Sequence, residues 1–359
     1  MVVGRGCVGR GRFLRAVRGR QRPSQILNPH SLPAGMVNPQ TPSVTDYTAR
    51  LGPRVEAALR AHVSAREGCP ERLGDAIRYA LLGGGKRLRP VLALLAAEAC
   101  GGTIDAAMPA ACAVEMIHAY SLVHDDLPAM DDDDLRRGQP TCHKVFGEGM
   151  AILAGDALLA FAFQVLAEGV RPPAVAAACV AALAEAAGPC RLVGGQADDL
   201  DAEKGDRSNL PRSGPPGAWH KLDLSPFSPQ RGGELALVES IHQRKTGALI
   251  RVSIRLGGMT AGAPEEWLSA LDEYGRRLGL AFQVTDDLLD VRSNPAVAGK
   301  RVGKDAARGK LTFPRILGVD ASAAYVTQLI SEASAALGPL GSRAGSLRGL
   351  AQHLLERNR

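Results

Sequence analysis

The sequence predicts an all-α fold on three observations. Alanine and leucine, both strong helix formers, dominate the composition. Aromatic residues reach only 4%. Apolar residues recur at helical spacing over segments far too long for strands. Helices are expected at residues 54–66, 72–82, 88–100, 105–125, 148–168, 173–187, 234–261, 264–292, 321–336 and 343–356, about ten in one large core.

Ahead of them, residues 1–35 lack periodicity and carry seven arginines (Arg5, Arg10, Arg12, Arg15, Arg18, Arg20, Arg22) with no acid. Such a stretch buries too little apolar surface to fold alone. It reads as a basic disordered tail, a targeting presequence or an extension upstream of a start at Met36. The domain proper is placed at 36–359. Residues 205–230, rich in proline, serine and glycine, read as an inserted segment or a lid.

The formal charge of +6 resides in the tail, which leaves the folded part nearly neutral. No nucleic-acid partner is therefore expected of it, and any such binding should vanish with the tail. No uninterrupted apolar run of 18 residues is present, so no spanning helix and no stable membrane insertion are expected. The seven cysteines are odd in number and form no C-x-x-C pair. They read as reduced core thiols, which points to a cytoplasmic location.

The chemistry concentrates in two aspartate clusters about 160 residues apart, Asp125-Asp126 with Asp131, and Asp286-Asp287 with Asp290. Carboxylates crowded in this way repel one another and resist burial unless hard divalent cations take up their oxygens. Mg²⁺ prefers to bridge a few carboxylates to substrate phosphates, so two facing clusters suggest a diphosphate held between them. A solvated acidic face is the plain alternative for either cluster alone.

On the helix that ends in the first cluster, His118, Ser121 and Asp125 share one stripe, while Val114, Ile117, Leu122 and Val123 lie elsewhere. Pro128 should end regular geometry after Asp126 and let Asp131 to Asp134 return from a turn. Arg136 and Arg137 follow, as guanidinium forks suited to phosphate or as ion-pair partners of the aspartates. In the second cluster Gln283, Asp287 and Asp290 are spaced i, i+4, i+7 on one helical face. The glycine loop Gly83–Gly85 with Lys86, Arg87 and Arg89 precedes a helix N-terminus, a phosphate site by type. Lys245-Thr246-Gly247 and the stretch from Lys300 to Lys310 add further cationic donors.

These motifs form an ordered set: GGGKRLRP, IHAYSLVHDDLPAMDDDDLRRGQPTCHKVFGEGMAILAGDAL, GGQADDLDAE, HQRKTGALI, GLAFQVTDDLLDV and GKDAARGK. Together they resemble the trans-prenyltransferases, in particular bacterial short-chain farnesyl diphosphate synthases, over residues 45 to 356 apart from the insert. The resemblance implies an isoprenoid-synthase-type bundle around a central cleft, usually a homodimer, with three Mg²⁺ per site. It implies that Asp125, Asp126, Asp131, Asp286, Asp287 and Asp290 hold metal. It assigns isopentenyl diphosphate to Lys86, Arg89, His118 and Arg137, and the allylic diphosphate to Arg136, Lys245, Thr246, Gln283, Lys300 and Lys310. Tyr120 and Ser121, five and four residues before the first aspartate, then line the floor of a product tunnel. An aromatic at that depth implies a fifteen-carbon product, with geranylgeranyl diphosphate as the alternative; an ordinary core aromatic is the plain reading of Tyr120.

Two departures from the family pattern stand out, the insert and an aspartate at 198 where an apolar residue is usual. A terpene cyclase would not need Lys86, Arg89 and His118. A catalytically silent subunit would tolerate erosion of one aspartate cluster, and both are complete.

Overall fold

The computed structural model describes residues 44–64, 67–203, 229–292 and 311–356, all within one compact unit spanning Gln40–Arg359. The tail, the insert as far as residue 228, and Lys300 and Lys310 lie outside the described residues.

The fold is organised around α4 (Ile104–Asp125), which is apolar on nearly all sides, the signature of a helix buried within a protein. Thr103 caps its N-terminus by accepting the Ala106 N–H at 3.2 Å. Helices α3 (Leu88–Ala99), α6 (Glu148–Gly169) and α10 (Ala248–Thr260) pack on α4. Outside these lie α1 (Val44–His62), α2 (Glu71–Leu82), α7 (Pro173–Ala187) and the long α11 (Glu265–Arg292). The C-terminal α13 (Val319–Ala336) lies along α11, and α14 (Gly345–Glu356) packs on both α3 and α13.

Several elements differ from expectation. A helix was expected at 234–261; it is interrupted by a π turn, Gln243–Gly247, between α9 (Pro229–His242) and α10. Helices α5 (Cys142–Phe146), α8 (Leu192–Glu203) and α12 (Phe313–Leu317) were not foreseen, α5 and α12 because five residues are too few to register a period and α8 because Gly194-Gly195 and its aspartates break the apolar repeat. The helices are joined by a two-residue hairpin, β1 (Leu135–Arg136) against β2 (Gln139–Pro140). Its turn, Arg137-Gly138, has positive φ at both positions (54° and 76°), the geometry of a tight hairpin.

Three stretches prove long and apolar enough to cross a membrane by length and composition, although no uninterrupted apolar run is present. Alanine-rich helices reach that threshold without unbroken runs. The first is α4, whose window is 72% buried inside the protein, and the third is broken into α7 and α8. Among the described residues the cysteines are free; Cys100, Cys112, Cys142 and Cys179 are buried, and burial pushes their thiols up to about 11 or 12. Thiols so held are inert core groups.

Tyr274 of α11 is fully buried and donates its hydroxyl to the Leu347 carbonyl of α14 at 2.7 Å. Tyr274→Phe removes this bond between α11 and α14 and should lower stability by about 0.5–1.5 kcal/mol. The urea midpoint of unfolding reads this out, and an unchanged midpoint contradicts it.

Candidate active site

The C-terminal end of α4 delivers the first aspartate cluster into a ring of cations. Helical geometry ends at Asp126, as Pro128 requires, and the chain turns back through hydrogen bonds from the Asp131 N–H to the Asp125 carbonyl at 2.8 Å and from the Asp133 N–H to the Asp126 carbonyl at 3.3 Å. Asp125 and Asp126 are both buried, 7% and 3% exposed.

Each carboxylate has its own partners. The Asp125 Oδ1 accepts from Gln196 Nε2 at 2.9 Å, and its Oδ2 lies 3.8 Å from Lys245 Nζ. Lys245 in turn donates to Asp199 at 2.7 Å. Asp126 is gripped by Arg136, whose Nε lies 2.7 and 2.9 Å from its two oxygens. The ion-pair reading of Arg136 is therefore realised in this state of the protein.

Burial raises both carboxyls above the ordinary aspartate value, further raised by the neighbouring Asp131 and opposed by Lys245 for Asp125 and Arg136 for Asp126. Lys245 and Arg136 resist the opposing pull of burial and are held above their ordinary values by these same aspartates. The π turn is what places Lys245 there. Gly195 of α8 lies so close to the Lys245 backbone that a Cβ would overlap it. Asp198, the unexpected aspartate, pairs with Arg244 of the same turn and ties α8 to it.

A second group gathers about two helical turns away along α4. Arg89 Nη1 lies 3.3 Å from His118 Nε2, and Arg89 Nε has no hydrogen-bond partner among the described residues. Burial, then Arg89, Arg137 and Arg136, drive the His118 imidazole well below its ordinary value, so it is neutral. Burial also lowers Arg89, while Glu115 and Asp286 hold its charge. Arg137 reaches back to the Gly84 carbonyl, next to the exposed Lys86. Arg87, with φ 49°, is clamped in place by buried Glu115 at 2.7 Å and Glu56 at 2.9 Å. The structure thus brings together Arg89, His118 and Arg137, while Lys86 is exposed on the adjoining loop.

The second aspartate cluster divides. Asp286 is exposed and within electrostatic reach of Arg89, and Gln283 and Asp290 are half-buried on α11. Asp287 is buried; its Oδ2 accepts the Phe313 N–H at 3.0 Å and lies 3.7 Å from His242 Nε2. One of its oxygens therefore anchors α12. Thr246 is half-buried on the π turn.

Tyr120 is 4% exposed, its hydroxyl has no partner among the described residues, and burial with Asp125 pushes the phenol up to about 12. Ser121 returns its hydroxyl to the His118 carbonyl at 2.9 Å, which satisfies it locally. Sequence reasoning gave no role to Gln196, Asp199, Glu115 or His242. A carboxylate such as Glu115 inside an apolar helix signals a buried cation partner, but the identity of that partner is a tertiary fact.

Among the described residues, no three His, Cys, Asp or Glu side chains form a ready metal cage. The donor set nevertheless fits Mg²⁺, which takes one or two carboxylates and completes its shell with water and phosphate. The crowded carboxylates of Asp125 and Asp126, with Asp131 close by, are such donors.

An all-α bundle with two buried aspartates held by Arg136 and Lys245 at the end of a core helix, beside the group of Arg89, His118 and Arg137, fits a prenyltransferase of the isoprenoid-synthase type. The family model described as polyprenyl synthetase matches residues 70–337. A dimethylallyltranstransferase of Fischerella ambigua is 42% identical over 88% of this chain and 84% of its own length. The chloroplastic geranylgeranyl pyrophosphate synthase 7 of Arabidopsis thaliana is 42% identical over 87% of this chain and 84% of its own. The crystal structure of an FPP/GFPP synthase from Zymomonas mobilis superposes with a TM-score of 0.71 at 34% identity, covering 87% of this chain and 98% of that one. The chain belongs to the polyprenyl synthetase family.

Protons and divalent cations should compete for Asp125 and Asp126. Their raised pKa means that Mg²⁺ affinity, read by calorimetry, falls on acidification from a higher pH than an ordinary aspartate would give. For the metal-free protein the sign reverses: the folded state holds these protons more tightly than the unfolded chain, so this contribution to stability grows as pH falls through the raised values. A thermal-shift series with and without Mg²⁺ should show the two opposite slopes.

Proposed function

We propose that the protein condenses isopentenyl diphosphate with dimethylallyl or geranyl diphosphate to give farnesyl diphosphate and inorganic diphosphate. The observation that carries this reading is the pairing of two anion sites along one helix. Arg89, His118 and Arg137 form a mainly cationic group, with Glu115 and Asp286 within electrostatic reach, and Asp125, Asp126, Arg136 and Lys245 form a mixed acidic and basic one. The first suits the diphosphate of the nucleophilic substrate. The second suits a diphosphate that must leave.

In this reading Asp125, Asp126 and Asp131 with Asp286, Asp287 and Asp290 hold Mg²⁺, three ions by analogy with the family. Bound Mg²⁺ neutralises the charge that develops on the leaving diphosphate. Arg136, which now pairs with Asp126, together with Lys245, Thr246 and Gln283 would hold the allylic phosphates. The allylic C–O bond breaks with its electron pair on diphosphate, and the isopentenyl double bond forms the new C–C bond. A proton is then lost, and the departed diphosphate accepts it.

Tyr120 supports the fifteen-carbon product. Five residues of helix rise about 7.5 Å, which puts its ring deep below Asp125 among buried side chains. A geranylgeranyl product is the second reading, favoured by the name of the Arabidopsis relative.

Purified protein incubated with Mg²⁺, isopentenyl diphosphate and geranyl diphosphate should yield a fifteen-carbon product on chromatographic sizing. Asp125→Ala and Asp286→Ala should each lower turnover by about 10²-fold or more with the fold intact. Near-normal activity in either variant would refute the reading, and a twenty-carbon wild-type product would transfer it to the geranylgeranyl class.

We also infer a homodimer and a cytoplasmic setting. The α7 face of Ala174, Ala177, Ala178 and Ala181 is exposed, as are Ile152 and Leu153 on the adjoining α6. An apolar face of this kind suits a second copy. Sedimentation should give a dimer that Ala178→Arg converts to monomer; a monomeric wild type removes the inference.

A further inference from the structure

Tyr120 presents an unusual combination: a buried phenol whose hydroxyl has no partner among the described residues. Leaving such a group unpaired is costly, and no hydrogen bond pins the ring. Its direction is therefore set by packing alone. A helical aromatic chooses between two χ1 wells, both of which lean over the preceding turn. The contents of its flank decide how far the ring can swing.

That flank is His124, one turn further along α4. The two rings meet edge to face, with centroids 5.8 Å apart and planes at 80°. His124 is itself held from α6. Its Nε2 lies 3.1 Å from the Ile152 carbonyl, so this nitrogen carries the hydrogen and donates. The Asp156 carboxylate lies 3.9 Å from the same nitrogen. The imidazole occupies space that α6 leaves open only because residue 155 is glycine; a Cβ there would overlap His124 Nε2, Cδ2 and Cε1. The order is thus α6 backbone at Gly155, then His124, then Tyr120.

We propose that His124, seated against Gly155, is a positioning residue that holds the Tyr120 ring across the path of the growing chain and so sets the length of the product. It acts through Tyr120 and touches no diphosphate. The inference rests on the reading of Tyr120 as the floor, but it holds whether the wild-type product has fifteen or twenty carbons.

The test is product length across five proteins assayed with Mg²⁺, isopentenyl diphosphate and geranyl diphosphate: wild type, Tyr120→Ala, Gly155→Ala, His124→Ala and His124→Phe. Length is read from the products formed, so it is independent of the loss of turnover expected beside Asp125. Tyr120→Ala should shift the main product by one or more five-carbon units. Gly155→Ala, which displaces the imidazole, and His124→Ala, which removes it, should each give longer products as well. His124→Phe, which restores a ring, should return the wild-type length. The double variant Tyr120→Ala/Gly155→Ala should go no further than Tyr120→Ala, since both act on one side chain.

If Tyr120→Ala lengthens the product while Gly155→Ala and His124→Ala retain the wild-type length, His124 is not the support and the floor reading survives. If Tyr120→Ala changes nothing, the floor reading fails and this inference with it.

Discussion

Two carboxylates, Asp125 and Asp126, sit buried at the C-terminal end of a core helix, where both desolvation and the negative end of the helix dipole oppose their charge. The rest of the site is the compensation for that placement. Lys245 arrives from the π turn, Arg136 from the hairpin and Gln196 from α8, three elements that lie far apart in the chain. None of them alone neutralises the pair, and each also tethers its own element to α4. The second cluster repeats the constraint, with Asp286, Asp287 and Asp290 in the last turns of α11. Carboxylates at two helix C-termini run against local preference, and such violations are expected where a site binds cations.

The same constraint explains why the fold tolerates a π turn and close helix contacts near the site. A π turn inserts one residue into a helix and turns a side chain that regular geometry would direct elsewhere. Here it directs Lys245 toward Asp125 and Asp199, and the missing side chain at Gly195 lets α8 approach closely enough to supply Gln196 and Asp199. The Arg87–Glu115–Glu56 network performs the corresponding task beside Arg89 and His118, fixing a strained left-handed residue just ahead of α3. Chemistry and packing are therefore inseparable in this region: the ion pairs that preassemble the site also join the helices around it.

Much of this was legible without coordinates. Helical periodicity is local, so α3, α4, α6, α7, α11 and α13 fall close to their expected limits, and Pro128 marks the end of α4 by its missing N–H. The five-residue helices α5 and α12 escaped because so few turns do not establish a period, and α8 escaped because its glycine pair and aspartates interrupt the apolar repeat. The run criterion passed over three stretches apolar enough to span by length and composition, since unbroken runs are a poorer measure of apolarity than a window average over an alanine-rich helix.

The sequence by itself determined the helical architecture, the family and the inventory of charged groups, because each depends on residue identity and on spacing within a single segment. Only the tertiary structure decided how those charges are shared. It paired Arg136 with Asp126, assigned Asp287 partly to holding α12, brought Gln196 and Asp199 into the site and set His124 against Tyr120. These are contacts between segments, selected by which buried charges must be neutralised and which helices can approach closely enough to do it, and no local pattern in the chain encodes that choice.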